Sequence, residues 1–132
     1  MQSQQPSFDR RTIAMESTLP PTAVVRVSRG NFDPARLAEV ERMARDTGTY
    51  LIPAIGRLPG LLHYSAAVSP SGSMVHVSIW DSDEHAAQMG RLKEMIVDAR
   101  EAALAVGVEF IPIVNYPIAW NIVPKSMTAR GA

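Results

Sequence analysis

Cysteine is absent from the 132 residues, which excludes disulfides, thiolate metal sites and a cysteine nucleophile together. An excess of one charge is absent too. Lys and Arg total 13, as do Asp and Glu, so no strong field exists to track phosphates or anionic lipid, and neither nucleic acid nor membrane is an expected partner. No apolar run approaches the roughly 18 residues of a membrane span, and the polar opening residues lack the apolar stretch of a secretory signal. A cytoplasmic location is expected. There is no nucleophile elbow, no phosphate-cradling glycine loop and no dinucleotide fingerprint. The three histidines show neither H-x-x-x-H nor H-x-x-E-H spacing, so no metal site is expected.

What is present is an ordinary globular composition, with 46% hydrophobic and 20% charged residues, in a length that suits one domain. Residues 1–21 are polar and end in Pro20-Pro21, which reads as a flexible arm. Residues 124–132 read as a similar tail, leaving 22–123 as the packed domain.

Within that domain, Ala23–Ser28 is a short β-branched strand closed by Gly30-Asn31. Asp33-Pro34 supplies an oxygen-bearing cap and a proline at the first helical position. Leu37, Val40, Met43 and Ala44 then recur at helical spacing. Gly48 is the expected stop, with a separate turn over Tyr50–Ile55. Leu62–Val68 and Met74–Trp80 flank Ser69-Pro70-Ser71-Gly72-Ser73. Proline at the second position of a type I turn and glycine at the left-handed position describe a three-residue hairpin loop, pairing Ser69 with Ser73. Leu62, Tyr64, Ala66 and Val68 then share a face with Met74, His76, Ser78 and Trp80. Asp81-Ser82-Asp83-Glu84 opens a second helix whose stripe runs Ala86, Met89, Leu92, Ile96, Ala99 and Ala103 to Gly107, about five turns. Val108–Val114 is the last strand, where Pro112 calls for an edge position or a bulge. Tyr116–Ile122 is a further extended, apolar piece.

The order β-α-β-β-α-β predicts an α+β, ferredoxin-like fold: a four-stranded antiparallel sheet with both helices on one face. The hairpin positions on the other face, His63, Ser65, Ala67, Val75, Val77 and Ile79, are mostly small or apolar. A sheet covered by helices on one side needs a polar outer face unless something covers it. The simplest cover is a second copy, so a homodimer is expected.

Together with this element order, Val77-Ser78-Ile79-Trp80-Asp81-Ser82-Asp83-Glu84, a strand ending in Trp and an acidic cap before the second helix, resembles the antibiotic biosynthesis monooxygenase-like families of the dimeric α+β barrel superfamily. The resemblance spans about residues 22–122. It implies two sheets packed face to face, a pocket between each sheet and its helices, and cofactor-independent oxygenation of an electron-rich aromatic or polyketide-like molecule. Many such proteins have a histidine nine residues after the tryptophan; Met89 stands there. Haem-degrading relatives use a helical histidine as iron ligand, so this departure disfavours haem, and no cofactor is expected.

That chemistry needs a dry pocket, one base and one oxyanion donor. His76 is the candidate base and Arg26 the oxyanion partner, with Tyr64, Ser78, Trp80 and Met89 at the substrate. Each has a plainer reading. A lone strand histidine such as His76 is more often a satisfied structural residue, and Arg26 suits an intersubunit ion pair better than an oxyanion partner. Trp80 suits a core filler as well as a pocket wall, and Met89 is core by default. His63 falls on the expected dimer face and His85 on an exposed first turn. The rival function is a non-catalytic homodimer that binds a small apolar metabolite.

Overall fold

The computed structural model describes residues 19–124; of the expected arm over 1–21 and tail over 124–132, residues 1–18 and 125–132 lie outside the described residues. The chain divides into two units by contact, and Thr22–Pro117 is the larger. Its elements run β1 (Val24–Asn31), a 3-10 turn (Pro34–Arg36) leading into α1 (Leu37–Gly56), β2 (Leu61–Ser69), β3 (Ser73–Trp80), α2 (Asp83–Ala86), a 3-10 stretch (Ala87–Arg91), a π-helical stretch (Glu94–Ala99), α3 (Arg100–Ala105), β4 (Glu109–Phe110) and β5 (Val114–Pro117). In the other unit, residues 118–124 add no strand or helix. Among the described residues no helix is long and apolar enough to cross a membrane.

The sheet is antiparallel in the order β2-β3-β1-β4, with β5 also on β1. This is the ferredoxin-like order, with the last strand of that fold delivered in two pieces. Phe110 pairs with Gly30, but Val114 pairs with Val27, one residue out of step. The extra residue falls in Ile111-Pro112-Ile113. Proline has no N–H for a ladder, and an edge bulge accommodates it. Because side chains alternate, the shift reverses the facing. Phe110 lies on the face of Gly30 beneath the helices, whereas Val114 and Tyr116, opposite Val27 and Val25, lie on the other face.

The hairpin has the expected register, Ser69 opposite Ser73. The Gly72 amide donates to the Ser69 carbonyl at 3.0 Å, closing the type I turn. Gly72 has φ +99, and a Cβ there would lie 2.5 Å from the Phe32 carbonyl oxygen, so glycine is required twice over. At the far end the register shifts between Leu61 and His63. Leu61 therefore takes the inward place beside Trp80, and Leu62, expected on the Tyr64 face, is 44% exposed instead.

Both helical regions depart from the periodic expectation. Asp33 caps the first as expected, its Oδ1 accepting from the Ala35 amide at 3.0 Å. The helix then runs through Gly48 and Pro53 to Gly56. Leu51, Ala54 and Ile55 are buried in its last turns, and that burial outweighs the hydrogen bond which Pro53, on the solvent side, removes. The second helix is not continuous. Leu92 is extended, with φ −81 and ψ 112, and a π-helical turn follows. The wider turn resets the phase: Met95 packs into the core and Ile96 is exposed, the reverse of the expected stripe.

Two packed clusters lie between sheet and helices. One gathers Val24, Leu51, Ile55, Trp80, Ala86, Met89 and Ala99. The other gathers Phe32, Val40, Met43, Met74, Ala103 and Val108. The face carrying Tyr64, His76, Ser78 and Trp80 thus looks toward the helices. Val25, Val27, Val75, Val77 and Ile79 occupy the opposite face, half-buried.

Candidate functional site

The pairing of three strands arranges the polar groups in rows. Tyr64, Ser78 and Arg26 stand side by side across β2, β3 and β1, and the next row is Ala66, His76 and Ser28. One pleat step further come Val68, Met74 and Gly30. A polar patch thus occupies the middle of an otherwise apolar inner face, where burial requires its members to find partners.

The Tyr64 hydroxyl and His76 Nδ1 are 2.6 Å apart, and the two rings meet edge to face at 87° with centroids 5.5 Å apart. Burial pushes the Tyr64 phenol well above its ordinary range, opposed by the nearby Arg26 charge. Burial also lowers the His76 imidazole. Both groups are therefore neutral near pH 7, and the pair shares one proton across a short bond. Ser78 is buried and takes a different role: its Oγ accepts from Trp80 Nε1 at 2.8 Å.

Arg26 is half-buried on β1, and burial draws its guanidinium below its usual value, with Tyr64 opposing. Among the described residues it makes no ion pair.

A cavity of about 420 Å³ opens over this patch, within the size range of small-molecule sites. Arg26, Ser28, Tyr64 and His76 form its polar floor. Met43, Thr47 and Leu51 of α1 form one wall; Met89, Gly90, Met95 and Ile96 at the helix break form another. Phe110 to Ile113, carrying the bulge, close the edge. The Thr47 hydroxyl is spent on the Met43 carbonyl at 2.9 Å, so that wall is apolar toward the cavity. Methionine, unbranched and polarizable, lines adaptable apolar sites, and four methionines border this one.

Four of the six sequence-derived site residues therefore meet at one cavity: Arg26, Tyr64, His76 and Met89. Ser78 and Trp80 do not border it. Trp80 is fully buried at the strand end among Val24, Leu51 and Ile55, because its row lies beyond the cavity and its indole N–H already has Ser78. The expected substrate wall is a core residue. His63 bonds Ser65 at 2.7 Å outside the cavity, and His85 bonds Asp81 at 2.6 Å as part of the cap that starts α2. Arg100 and Phe110 border the cavity without having been singled out. The visible signal for Arg100 was its place directly after Ala99, at the edge of the apolar stripe.

No family model matches this chain, and no curated protein matches it. Solved structures do. A monooxygenase from the gene ActVA-Orf6 of Streptomyces coelicolor, in complex with nanaomycin D, is similar at TM-score 0.58 and 18% identity, over 80% of this chain and 95% of that one. An antibiotic biosynthesis monooxygenase candidate from Deinococcus radiodurans is similar at TM-score 0.58 and 16% identity, over 76% and 97%. A variant of SnoaB, a cofactor-independent oxygenase from Streptomyces nogalater, is similar at TM-score 0.51 and 15% identity, over 76% and 96%. At these identities the likeness is one of architecture, and the chain shares its ferredoxin-like α+β fold with antibiotic biosynthesis monooxygenase-like structures.

Proposed function

We propose that this protein is a cofactor-independent monooxygenase-like enzyme of the cytoplasm that acts, as a homodimer, on a small aromatic or polyketide-like molecule. The observation that carries this reading is the 2.6 Å Tyr64–His76 bond, set beside Arg26, which makes no ion pair among the described residues, on the floor of a methionine-walled cavity. Two fold neighbours bear names of the same activity, a monooxygenase and a cofactor-independent oxygenase.

The chemistry follows from these groups. A phenol or enol bound on the floor loses its proton to the Tyr64 oxygen while the Tyr64 proton passes to His76 Nδ1. The Arg26 charge offsets the oxyanion, whose carbanion form is the electron-rich species. That carbanion reduces O₂ and the two combine at carbon as a peroxide. Loss of water from the peroxide leaves a carbonyl, so a methylene and O₂ become C=O and H₂O. The apolar walls keep bulk water from quenching the anion.

The test is oxygen uptake with a dihydroxyanthrone. Wild type should accelerate uptake over buffer, and His76→Ala should lose on the order of 100-fold or more of that acceleration. Equal uptake with and without protein counts against the reading.

A second reading, a non-catalytic small-molecule binder, is favoured by one observation: four adaptable methionines line the cavity. Tight binding of aromatic ligands with no oxygen uptake would select it.

A further inference from the structure

Arg26 is a half-buried cation on the cavity floor that makes neither an ion pair nor a side-chain hydrogen bond among the described residues. Other arginines of the fold are held. Arg36 is bonded to Glu39 at 2.7 Å, and the Arg100 guanidinium carbon sits 5.0 Å above the Phe110 ring. Burying a charge without a partner is costly, so the residues beside Arg26 decide what holds it.

Two residues stand directly opposite Arg26 across the sheet, Ser78 on β3 and Asn115 on β5. The Ser78 Oγ already accepts from Trp80 Nε1. The Asn115 side chain makes no hydrogen bond among the described residues. Opposed residues share a sheet face and hold their Cβ atoms about 4.5–5.5 Å apart. Asn115 therefore stands on the inner face at the sheet edge, two residues beyond Ile113, which borders the cavity.

The bulge at Pro112 produces this meeting. Continued in step from Phe110 opposite Gly30, the strand would bring Val114 opposite Arg26 and turn Asn115 to the outer face beside Val25. The extra residue sets the amide opposite Arg26 instead, the re-aiming of a side chain for which bulges are suited. An arginine has only donors, so an amide meets it through oxygen and keeps its own N–H donors free. Unlike a carboxylate, the amide leaves the positive charge intact. We propose that Asn115 is a positioning residue for Arg26: its Oδ1 accepts from the guanidinium and steers that charge onto an oxyanion bound at Tyr64 and His76. The oxyanion role rests on the oxygenase reading; the pairing of Arg26 with Asn115 rests on the strand register alone.

The experiment follows the ionisation of a dihydroxyanthraquinone by visible absorbance in a pH titration with the full chain in excess. Wild type should raise the acid ionisation constant of the bound hydroxyl about tenfold or more, the scale set by a nearby cation. Asn115→Leu should give back at least about threefold of that gain, the scale of one hydrogen bond, and Asn115→Gln should recover part. Asn115→Asp should lose more than Asn115→Leu, because a carboxylate cancels the charge. Arg26→Leu should abolish the gain. Adding Asn115→Leu to it should change nothing further, as expected of one residue acting through another. Asn115 is exposed, and unchanged melting temperatures would show that its variants fold.

An Asn115→Leu protein indistinguishable from wild type, with Arg26→Leu abolishing the gain, overturns the inference and leaves the oxygenase reading standing. An Asn115→Leu effect of full size in the Arg26→Leu background overturns the positioning role, because the amide would then touch the guest directly. A guest that fails to bind, or binds with its ordinary ionisation constant, overturns the inference and the oxygenase reading together. The expected pattern without oxygen uptake by the corresponding anthrone supports the inference and removes the oxygenase reading alone.

Discussion

Tyr64 and His76 lie on neighbouring strands, one pleat step apart along the inner face, and their side chains meet at 2.6 Å. Tyr64 pairs with Ser78 and His76 with Ala66, so the bond is diagonal, and the small Ala66 and Ser78 side chains leave room for both rings. Removing either partner leaves the other half-buried on the cavity floor without its hydrogen bond. Tyr64→Phe should cost about 1–3 kcal/mol of stability, the scale of one unsatisfied buried group. In chemical denaturation, Tyr64→Phe combined with His76→Ala should be less destabilised than the sum of the two singles.

The acid limb of stability follows from the direction of the His76 shift. Its folded value is lowered by burial, while the unfolded chain titrates near the usual value of about 6.5. The unfolded state therefore binds a proton first as pH falls below that value. Stability from this group is fully present above about pH 6.5 and is lost on descent toward the folded value. Denaturant midpoints at pH 8 and pH 5 should differ more in wild type than in His76→Gln. Oxygen uptake, if the imidazole is the proton acceptor, should persist below pH 6.5.

Trp80 separates packing from contact with ligand. It is fully buried and bonded to Ser78 at 2.8 Å, outside the cavity lining. Trp80→Ala should destabilise by about 3–5 kcal/mol. Trp80→Phe should cost less and leave ligand affinity within about twofold, since the side chain borders no ligand. A large affinity loss in a well-folded Trp80→Phe protein would return the tryptophan to the site.

Val77 tests the proposed pairing of two copies. It sits half-buried on the outer face with Val75 and Ile79 beside it. If that face meets its symmetry mate, Val77→Arg introduces an unpaired charge at the centre. Sedimentation equilibrium should show wild type as a dimer at micromolar concentration and the variant dissociating at least about tenfold more readily. A monomeric wild type refutes the pairing.

The hairpin was the most legible part of the sequence, because Pro70 and Gly72 fix the turn and the turn fixes the register. Every inner-face assignment from Tyr64 to Val68 and from Met74 to Trp80 then follows by alternation. Leu62 broke the rule because two adjacent leucines, Leu61 and Leu62, do not show which of them faces inward at the register shift. The helices were legible where caps spoke, at Asp33 and Ser82, and illegible where tertiary burial overrode local signals. Gly48 reads as a stop, yet it and Pro53 lie inside one helix held by Leu51 and Ile55. The stripe through Leu92 and Ile96 reads as a rod yet is broken. In the site, Tyr64, His76 and Arg26 were within reach because they share a strand face. Arg100 and Phe110 were not, since their meeting depends on where the broken helix restarts and on which side of the bulge the last strand begins.

The break at Leu92 gives the cavity a wall of unusual construction. A continuous helix would present Met89 and Met95 on one stiff cylinder, spaced by a fixed pitch. Here they belong to two short segments joined at an extended residue, and short segments open at lower free energy than a long one because fewer hydrogen bonds hold each. A change in the Leu92 backbone dihedrals would therefore alter the width of this wall without disturbing the strand pairing that holds Arg26, Tyr64 and His76. Two properties usually carried by one surface are thus divided: the polar groups Arg26, Tyr64 and His76 stand on a hydrogen-bonded sheet, and Met89 and Met95 stand on a jointed side.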